Sequence, residues 1–298
     1  MMKKIVSAAI TPFTMGNEID LCSAERMYEF NIGHGIDGFF LFGTMGEWAL
    51  TTADEKDRIA EHACEVIGER AEVFLGIQDI GLPQMLSNME RRAGLDHDAW
   101  VVLFPSKWAG PNCPVKYTHK IADAADRPVF LYHSPGFNGV DLEADQFKDI
   151  LAHEKIRGVK NSADSIRIRK ELLLLKQEAD FELYEGQEWG VDESLMLGCD
   201  GAIAGFGSCG SKILKNIARM VEKKDYGKAG SLQEKLIGIF KGVYGDCRQH
   251  VWSGQKHALV HLGILDSPFS RVEGQNGIRE KEIEAVQKCI DDNRELLV

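Results

Sequence analysis

The sequence contains no uninterrupted apolar run of membrane-spanning length, no excess of basic residues, no Cys-x-x-Cys pair, no internal repeat and no low-complexity tract. Each absence excludes something. A bilayer-spanning helix needs about 20 consecutive, mostly apolar residues, and none is present. Met1-Met2-Lys3-Lys4 leads straight into a strand-like segment instead of the apolar core of a secretion signal, so a cytoplasmic protein with no membrane partner is expected. A net charge of −11 without a local basic patch repels phosphate backbones and argues against nucleic acid as a partner. The seven cysteines (22, 64, 113, 199, 209, 247 and 289) are odd in number and scattered, which fits reduced thiols and not a disulfide scaffold or zinc knuckle.

What is present is a strand-helix alternation. The 298 residues, 44% of them hydrophobic, are enough for one large core or two smaller ones. Short apolar runs stand at Ile5–Ile10, Gly38–Phe42, Val73–Ile77, Trp100–Phe104, Val129–Tyr132, Ile156–Lys160, Phe181–Tyr184 and Gly201–Ala204. Helix-patterned stretches separate them, for instance Ala53–Ile67, Val115–Ala125 and Ile166–Lys176. Thr52 and Glu55 have capping-box spacing at the start of the first of these. Strict alternation implies parallel strands joined by crossovers, and eight units are the number that closes an α/β TIM (β/α)8 barrel; an open doubly wound sheet is the alternative. After a last barrel helix near Ser211–Lys223 come three helical stretches with no strand between them, Tyr226–Tyr244, Val251–Leu262 and Gly277–Leu296. The expected organisation is therefore a barrel domain over residues 1–224 and a C-terminal three-helix extension over 225–298. Pro/Gly-bearing loops are expected at Ala109–Pro114 and Asp266–Gln275.

Catalytic groups in such a barrel sit where strands end at their carboxyl side. The sixth run ends in Lys160, and alternation places Lys160 on one face with Ile156 and Gly158, Val159 on the other. Desolvation against an apolar wall disfavours the ammonium and leaves an amine able to attack a carbonyl. By the same parity, Thr44 shares a face with Phe40 and Phe42, and Tyr132 shares one with Phe130. A lysine, a tyrosine and a threonine hydroxyl facing one cavity can form a covalent imine and move a proton on a substrate oxygen.

Three segments carry a resemblance. Gly43-Thr44-Met45-Gly46-Glu47, Tyr132-His133-Ser134-Pro135-Gly136-Phe137-Asn138-Gly139 and Gly158-Val159-Lys160-Asn161-Ser162 resemble, in order and spacing, the signatures of the dihydrodipicolinate synthase / N-acetylneuraminate lyase family. The resemblance implies a TIM barrel with three C-terminal helices, assembled as a homotetramer, that binds a small keto acid and an aldehyde and needs no cofactor or metal. It implies that Lys160 forms a Schiff base with pyruvate, that Tyr132 is the acid/base of a proton relay, and that Gly43, Thr44 and the Met45 amide cradle the pyruvate carboxylate. Phe137, Asn138, Gly186, Glu188, Trp189, Ile203 and Gly205 are the further substrate-binding positions it points to.

The chain also departs from the pattern. Met45 stands where a second hydroxyl is usual, at the loss of one side-chain hydrogen bond worth about 1 kcal/mol. Phe104-Pro105-Ser106-Lys107-Trp108 aligns with a segment that normally supplies a relay tyrosine to a neighbouring subunit, and it contains none. Phe137 replaces the arginine that holds the semialdehyde carboxylate in dihydrodipicolinate synthases, and an aromatic ring cannot replace a bidentate cation; Lys107 of an adjacent subunit is the alternative cation. In Gly186-Gln187-Glu188-Trp189, Glu188 keeps one of the two acids that contact sugar hydroxyls in sialate lyases and Trp189 replaces the other; Gly205 stands where those lyases have a serine. The expected activity is a pyruvate-dependent Schiff-base aldolase or lyase acting on a 2-keto-3-deoxy sugar acid. A sugar-acid dehydratase or a dihydrodipicolinate synthase using the same lysine, and a non-catalytic keto-acid sensor, are the alternatives.

Other patterns count for less. Gly205-Phe206-Gly207-Ser208-Cys209-Gly210 has the spacing of a dinucleotide fingerprint, but no acidic residue follows at the end of a next strand, so a loop whose amides approach a substrate, or a plain tight loop, is expected. His257 and His261 have metal-pair spacing without a carboxylate to complete a site. His133 should turn away from Tyr132, and Glu47 should fix the Gly43–Gly46 loop.

Overall fold

The computed structural model describes residues 2–106 and 113–298; Lys107, Trp108 and most of the loop expected at Ala109–Pro114 lie outside the described residues. The strands are β1 (Lys4–Ala8), β2 (Gly38–Leu41), β3 (Glu72–Gly76), β4 (Ala99–Leu103), β5 (Val129–His133), β6 (Ile156–Asn161), β7 (Glu182–Glu185) and β8 (Gly201–Ala204), each starting within one residue of its expected run. All neighbours pair in parallel and β8 returns to β1, so the sheet is a closed barrel and not an open one. The helices are α1 (Leu21–Gly33), α2 (Ala53–Ile67), α3 (Leu82–Arg92), α4 (Pro114–Ala124), α5 (Pro135–Asn138), α6 (Ala144–Leu151), α7 (Ile166–Leu175), α8 (Val191–Leu197), α9 (Gly207–Glu222), α10 (Tyr226–Tyr244), α11 (Val251–His261), α12 (Glu280–Asp292) and α13 (Arg294–Leu297). The capping box at α2 forms: the Glu55 amide donates to the Thr52 hydroxyl and the Thr52 amide to the Glu55 carboxylate.

Two apolar layers explain the alternation. One lies between strands and helices; the other fills the barrel with Val6, Ala8, Phe40, Phe74, Val101, Phe130, Tyr132, Tyr184 and Ile203. Rings interlock there, Phe40 edge-on to Tyr132 at 5.9 Å and Phe130 to Tyr184 at 5.8 Å. Tyr184 points to the amino end of the strands, where its hydroxyl donates to Glu182 at 2.8 Å and Lys4 pairs with Glu72 at 2.8 Å. The carboxyl end is left for chemistry.

Simple alternation fails at two places. The β5–β6 register jumps, Val129 facing Ile156 but Phe130 facing Gly158, because Arg157 is an extra residue on β6. Ile156 is thereby turned into the outer layer beside Val129, so it is not on the Lys160 face. At the end of β2, Phe42 has left-handed backbone (φ 60) and packs in the outer layer, so it does not share the face of Phe40.

The Gly205–Gly210 segment also differs from the loop expected. Residues from Gly207 on are already α9. A Cβ on Gly207 would meet the Ser7 Cα of β1 at 2.6 Å, and one on Gly210 would strike the Phe206 ring. These glycines let α9 press onto the barrel instead of freeing amides for a ligand. The last expected helix, Gly277–Leu296, is broken into a short turn at Gln275–Gly277, then α12 and α13. The extension packs as α10 against α9 and α12, with α11 between; Gly242 lets Cys289 approach and Gly254 lets the Val243 carbonyl approach.

Candidate active site

Lys160 is the fifth residue of β6, one strand from Tyr132 on β5, and the two are direct register partners. Gly158, two residues earlier, must be small: a Cβ there would meet the Glu182 carbonyl and the Phe130 ring. The lysine is 4% exposed, with its Nζ 4.0 Å from the Tyr132 ring centroid and 4.9 Å from that of Phe40. The aromatic wall is thus supplied by β2 and β5, not by Ile156. Both side chains open into a cleft of about 330 Å³ at the carboxyl end of the barrel, lined also by Ala8, Thr44, Met45, Ser134, Phe137, Ser162, Glu188 and Gly205.

Burial alone would raise the pKa of the Tyr132 phenol, but the Lys160 charge beside it and the hydroxyls of Thr44, Ser134 and Ser162 outweigh that and hold it below its ordinary value. Ser134 and Ser162 were not singled out from sequence, though each lies two residues past a predicted catalytic residue and so on the same face. Thr44 Oγ1 is buried at the cleft wall, where the Tyr132 phenol is the group it faces. Glu188 also faces this space. Burial pushes its carboxyl up to about 7, against the Phe206 amide, which donates to it, and the Lys160 charge.

Of the residues expected in the site, the structure brings together Lys160, Tyr132, Thr44, Met45, Phe137, Gly186, Glu188, Ile203 and Gly205. Three lie elsewhere. Gly43 is the turn residue behind the wall; its carbonyl accepts from Gly46 and a Cβ would meet the Phe40 ring at 2.8 Å. Asn138 is buried with its amide donating to the Phe104 carbonyl and its oxygen accepting from Val140. Trp189 swings outward and packs on Phe240 of α10. Phe137, 54% exposed, sits at the mouth. His133 turns away from Tyr132, bonded to Asn161 at 3.1 Å and facing Asp141. His261 pairs with Asp291 of α12 across the helix packing.

The loops that form the cleft are held by the C-terminal helices, a feature invisible in the sequence. Trp252 donates to the Thr44 carbonyl (3.3 Å), Gln255 to the Gly205 carbonyl (3.2 Å) and Gln233 to the Glu188 carbonyl (2.8 Å). Glu47 does fix its loop, but through that extension: its buried carboxylate pairs with Lys256 at 2.5 Å and accepts from the Ser270 hydroxyl and Arg271 amide. Left-handed backbone at Glu47 (φ 55) costs about 1–2 kcal/mol, which this network offsets. On the other side, Glu185 is clamped by Arg169 and Ser194 and accepts from the Gln187 amide, which fixes the Gly186–Glu188 segment.

Among the described residues no helix is long and apolar enough to cross a membrane. A 4-hydroxy-tetrahydrodipicolinate synthase of Kosmotoga olearia is 28% identical over 294 residues, 97% of this chain and 99% of that one. YagE of Escherichia coli K12, provisionally named a 2-dehydro-3-deoxy-D-gluconate aldolase, is 25% identical over 239 residues, 79% of each chain. In fold, the chain is similar to CdNal of Clostridium difficile, solved with mannosamine (TM-score 0.89, 20% identity, 98% and 99% covered), and to YagE solved with pyruvate (TM-score 0.89, 22% identity, 98% of both covered). The profile of the dihydrodipicolinate synthetase family matches residues 1–289, and the chain belongs to that family.

Proposed function

We propose that this protein is a class I, pyruvate-dependent aldolase, whose Lys160 condenses with the keto group of pyruvate or of a 2-keto-3-deoxy sugar acid. The observation that carries this reading is the buried Lys160 amine, 4.0 Å from the Tyr132 ring, at the floor of a cleft. Attack of Nζ on C2 and loss of water give an iminium. In the cleavage direction Tyr132 takes the C4 hydroxyl proton as the C3–C4 bond breaks, and the bond pair passes into the enamine. A phenol held below its usual pKa ionises more readily to the phenolate, the form that takes that proton. Thr44 and the Met45 amide hold the carboxylate, and Ser134 and Ser162 fill out the relay around the phenol. Phe137 at the mouth favours a neutral hydroxylated or apolar aldehyde over aspartate semialdehyde, because among the described residues that line the cleft no cation besides Lys160 is placed to pair with a second carboxylate. The assembly in this reading is a homotetramer.

Borohydride added with pyruvate tests the reading. The expected result is irreversible inactivation and a reduced pyruvyl adduct on the peptide containing Lys160. An unmodified Lys160, or activity lost in EDTA and restored by a divalent ion, would overturn it.

A further inference from the structure

In the aldolase reading the reacting pair is pinned by its polar groups: the pyruvate carboxylate at Thr44 and the Met45 amide, the keto carbon at Lys160, the aldehyde oxygen at Tyr132. The chain carried by the aldehyde is left to find its own way. The cleft has two flanks it could follow, past Phe137 after β5 or over Gly205 at the end of β8. Phe137 stands 54% exposed at the mouth, so the first flank leads to solvent.

The second flank is filled. Gly205 has no side chain, yet the point where a Cβ would stand lies 3.2 Å from Met45 Cγ, 3.5 Å from Met45 Sδ and 3.2 Å from Glu188 Oε2. The room that the glycine leaves is taken by those two side chains. Glu188 is held in place, because its Oε1 accepts from the Phe206 amide at 2.5 Å and its carbonyl from Gln233 of α10 at 2.8 Å. The Gly205 carbonyl is held by Gln255 of α11 at 3.2 Å. Met45 reaches Gly205 from the turn after β2, across the end of β1, and rests half-buried on the apolar layer that contains Ala8 and Ile203.

We propose that the Met45 side chain sets the acceptor specificity of this cleft: it closes the β8 flank and sends the aldehyde chain past Phe137, so the protein takes aldehydes unbranched beside the carbonyl. An unbranched chain needs one flank only. A branched one needs both, and its second arm meets the methionine; specificity then comes from a clash with the wrong substrate and not from an added contact with the right one.

The proposal rests on the aldolase reading and adds to it the shape of the acceptor. The probes are butanal and 2-ethylbutanal, neutral aldehydes that differ only in the branch beside the carbonyl, each condensed with saturating pyruvate. Wild-type protein should favour butanal. Met45→Ala keeps the amide that serves the carboxylate but removes the thioether, and it should raise the branched-to-linear ratio of kcat/KM at least about 10-fold, the lower end of what one methylene in a tight pocket is worth. Gly205→Ala sets a methyl between Met45 and Glu188, pushes the thioether further into the cleft and should lower the same ratio. A general loss of stability lowers both rates together and leaves the ratio where it was. An unchanged ratio in Met45→Ala, or a branched aldehyde still refused by it, overturns the proposal. If that variant does not fold, an unchanged or raised ratio in Gly205→Ala overturns it. Wild-type protein that condenses neither aldehyde and gives no borohydride adduct at Lys160 refutes the underlying aldolase reading instead, and the missing adduct identifies that case.

Discussion

Replacing Lys256 by methionine removes the cation from a pair whose two side chains are both fully buried. The methionine fills most of the volume, so the effect is chiefly electrostatic. Breaking a buried pair by deleting one member costs about 3–5 kcal/mol, because the other charge stays behind without compensation. Here the lower end applies, since Glu47 keeps the Ser270 hydroxyl and the Arg271 amide as donors. About 3 kcal/mol of destabilisation is therefore expected by urea denaturation. Glu47 holds the turn that carries Thr44 and Met45, so the KM for pyruvate should rise more than kcat falls. The double variant Lys256→Met/Glu47→Gln leaves a neutral amide that still accepts from Ser270 and Arg271, and it should recover most of the lost stability. A single variant destabilised by less than about 1 kcal/mol, or a double variant no better than the single, would refute this account of the pair.

Three further outcomes are expected. Tyr132→Phe should lower kcat by about 10²–10⁴-fold in an aldol cleavage assay while still permitting borohydride trapping; normal turnover would make Tyr132 only a wall of the cleft. Phe137→Arg should shift kcat/KM toward a carboxylate-bearing aldehyde by about 1–3 kcal/mol, the usual worth of a charge-assisted hydrogen bond, read by competing aspartate semialdehyde against a neutral aldehyde. The Glu55 carboxyl is held at about 2, first by its bonds to the Arg271 guanidinium; this stability is present above pH 4.5 and lost as the pH falls toward 2. Against an ordinary value of 4.5 the difference corresponds to at most about 3 kcal/mol, shared between Arg271 and Thr52, so Arg271→Met should cost more stability at pH 7 than at pH 2 in denaturation curves.

Much of this protein is written locally. Eight apolar runs separated by helical periodicity determined the barrel, because a parallel pair demands a crossover and strand and helix periods are set within a few residues. Lys160, Tyr132 and Thr44 were legible as strand-end residues for the same reason, and Ser134 and Ser162 would have followed from the same parity. Local periodicity could not show the extra residue at Arg157 or the left-handed turn at Phe42, since either one flips all later side chains without changing composition. It also could not place Trp189 on Phe240 or Asn138 under Phe104, because those partners lie far along the chain. The tertiary structure alone decided the electrostatics. The Glu188 carboxyl is pushed up to about 7 only by its burial in the fold, and Glu47 is held by Lys256, 209 residues away. Desolvation and ion pairing depend on which groups the fold brings within a few ångströms, and that distance is not a property of neighbouring residues in the sequence.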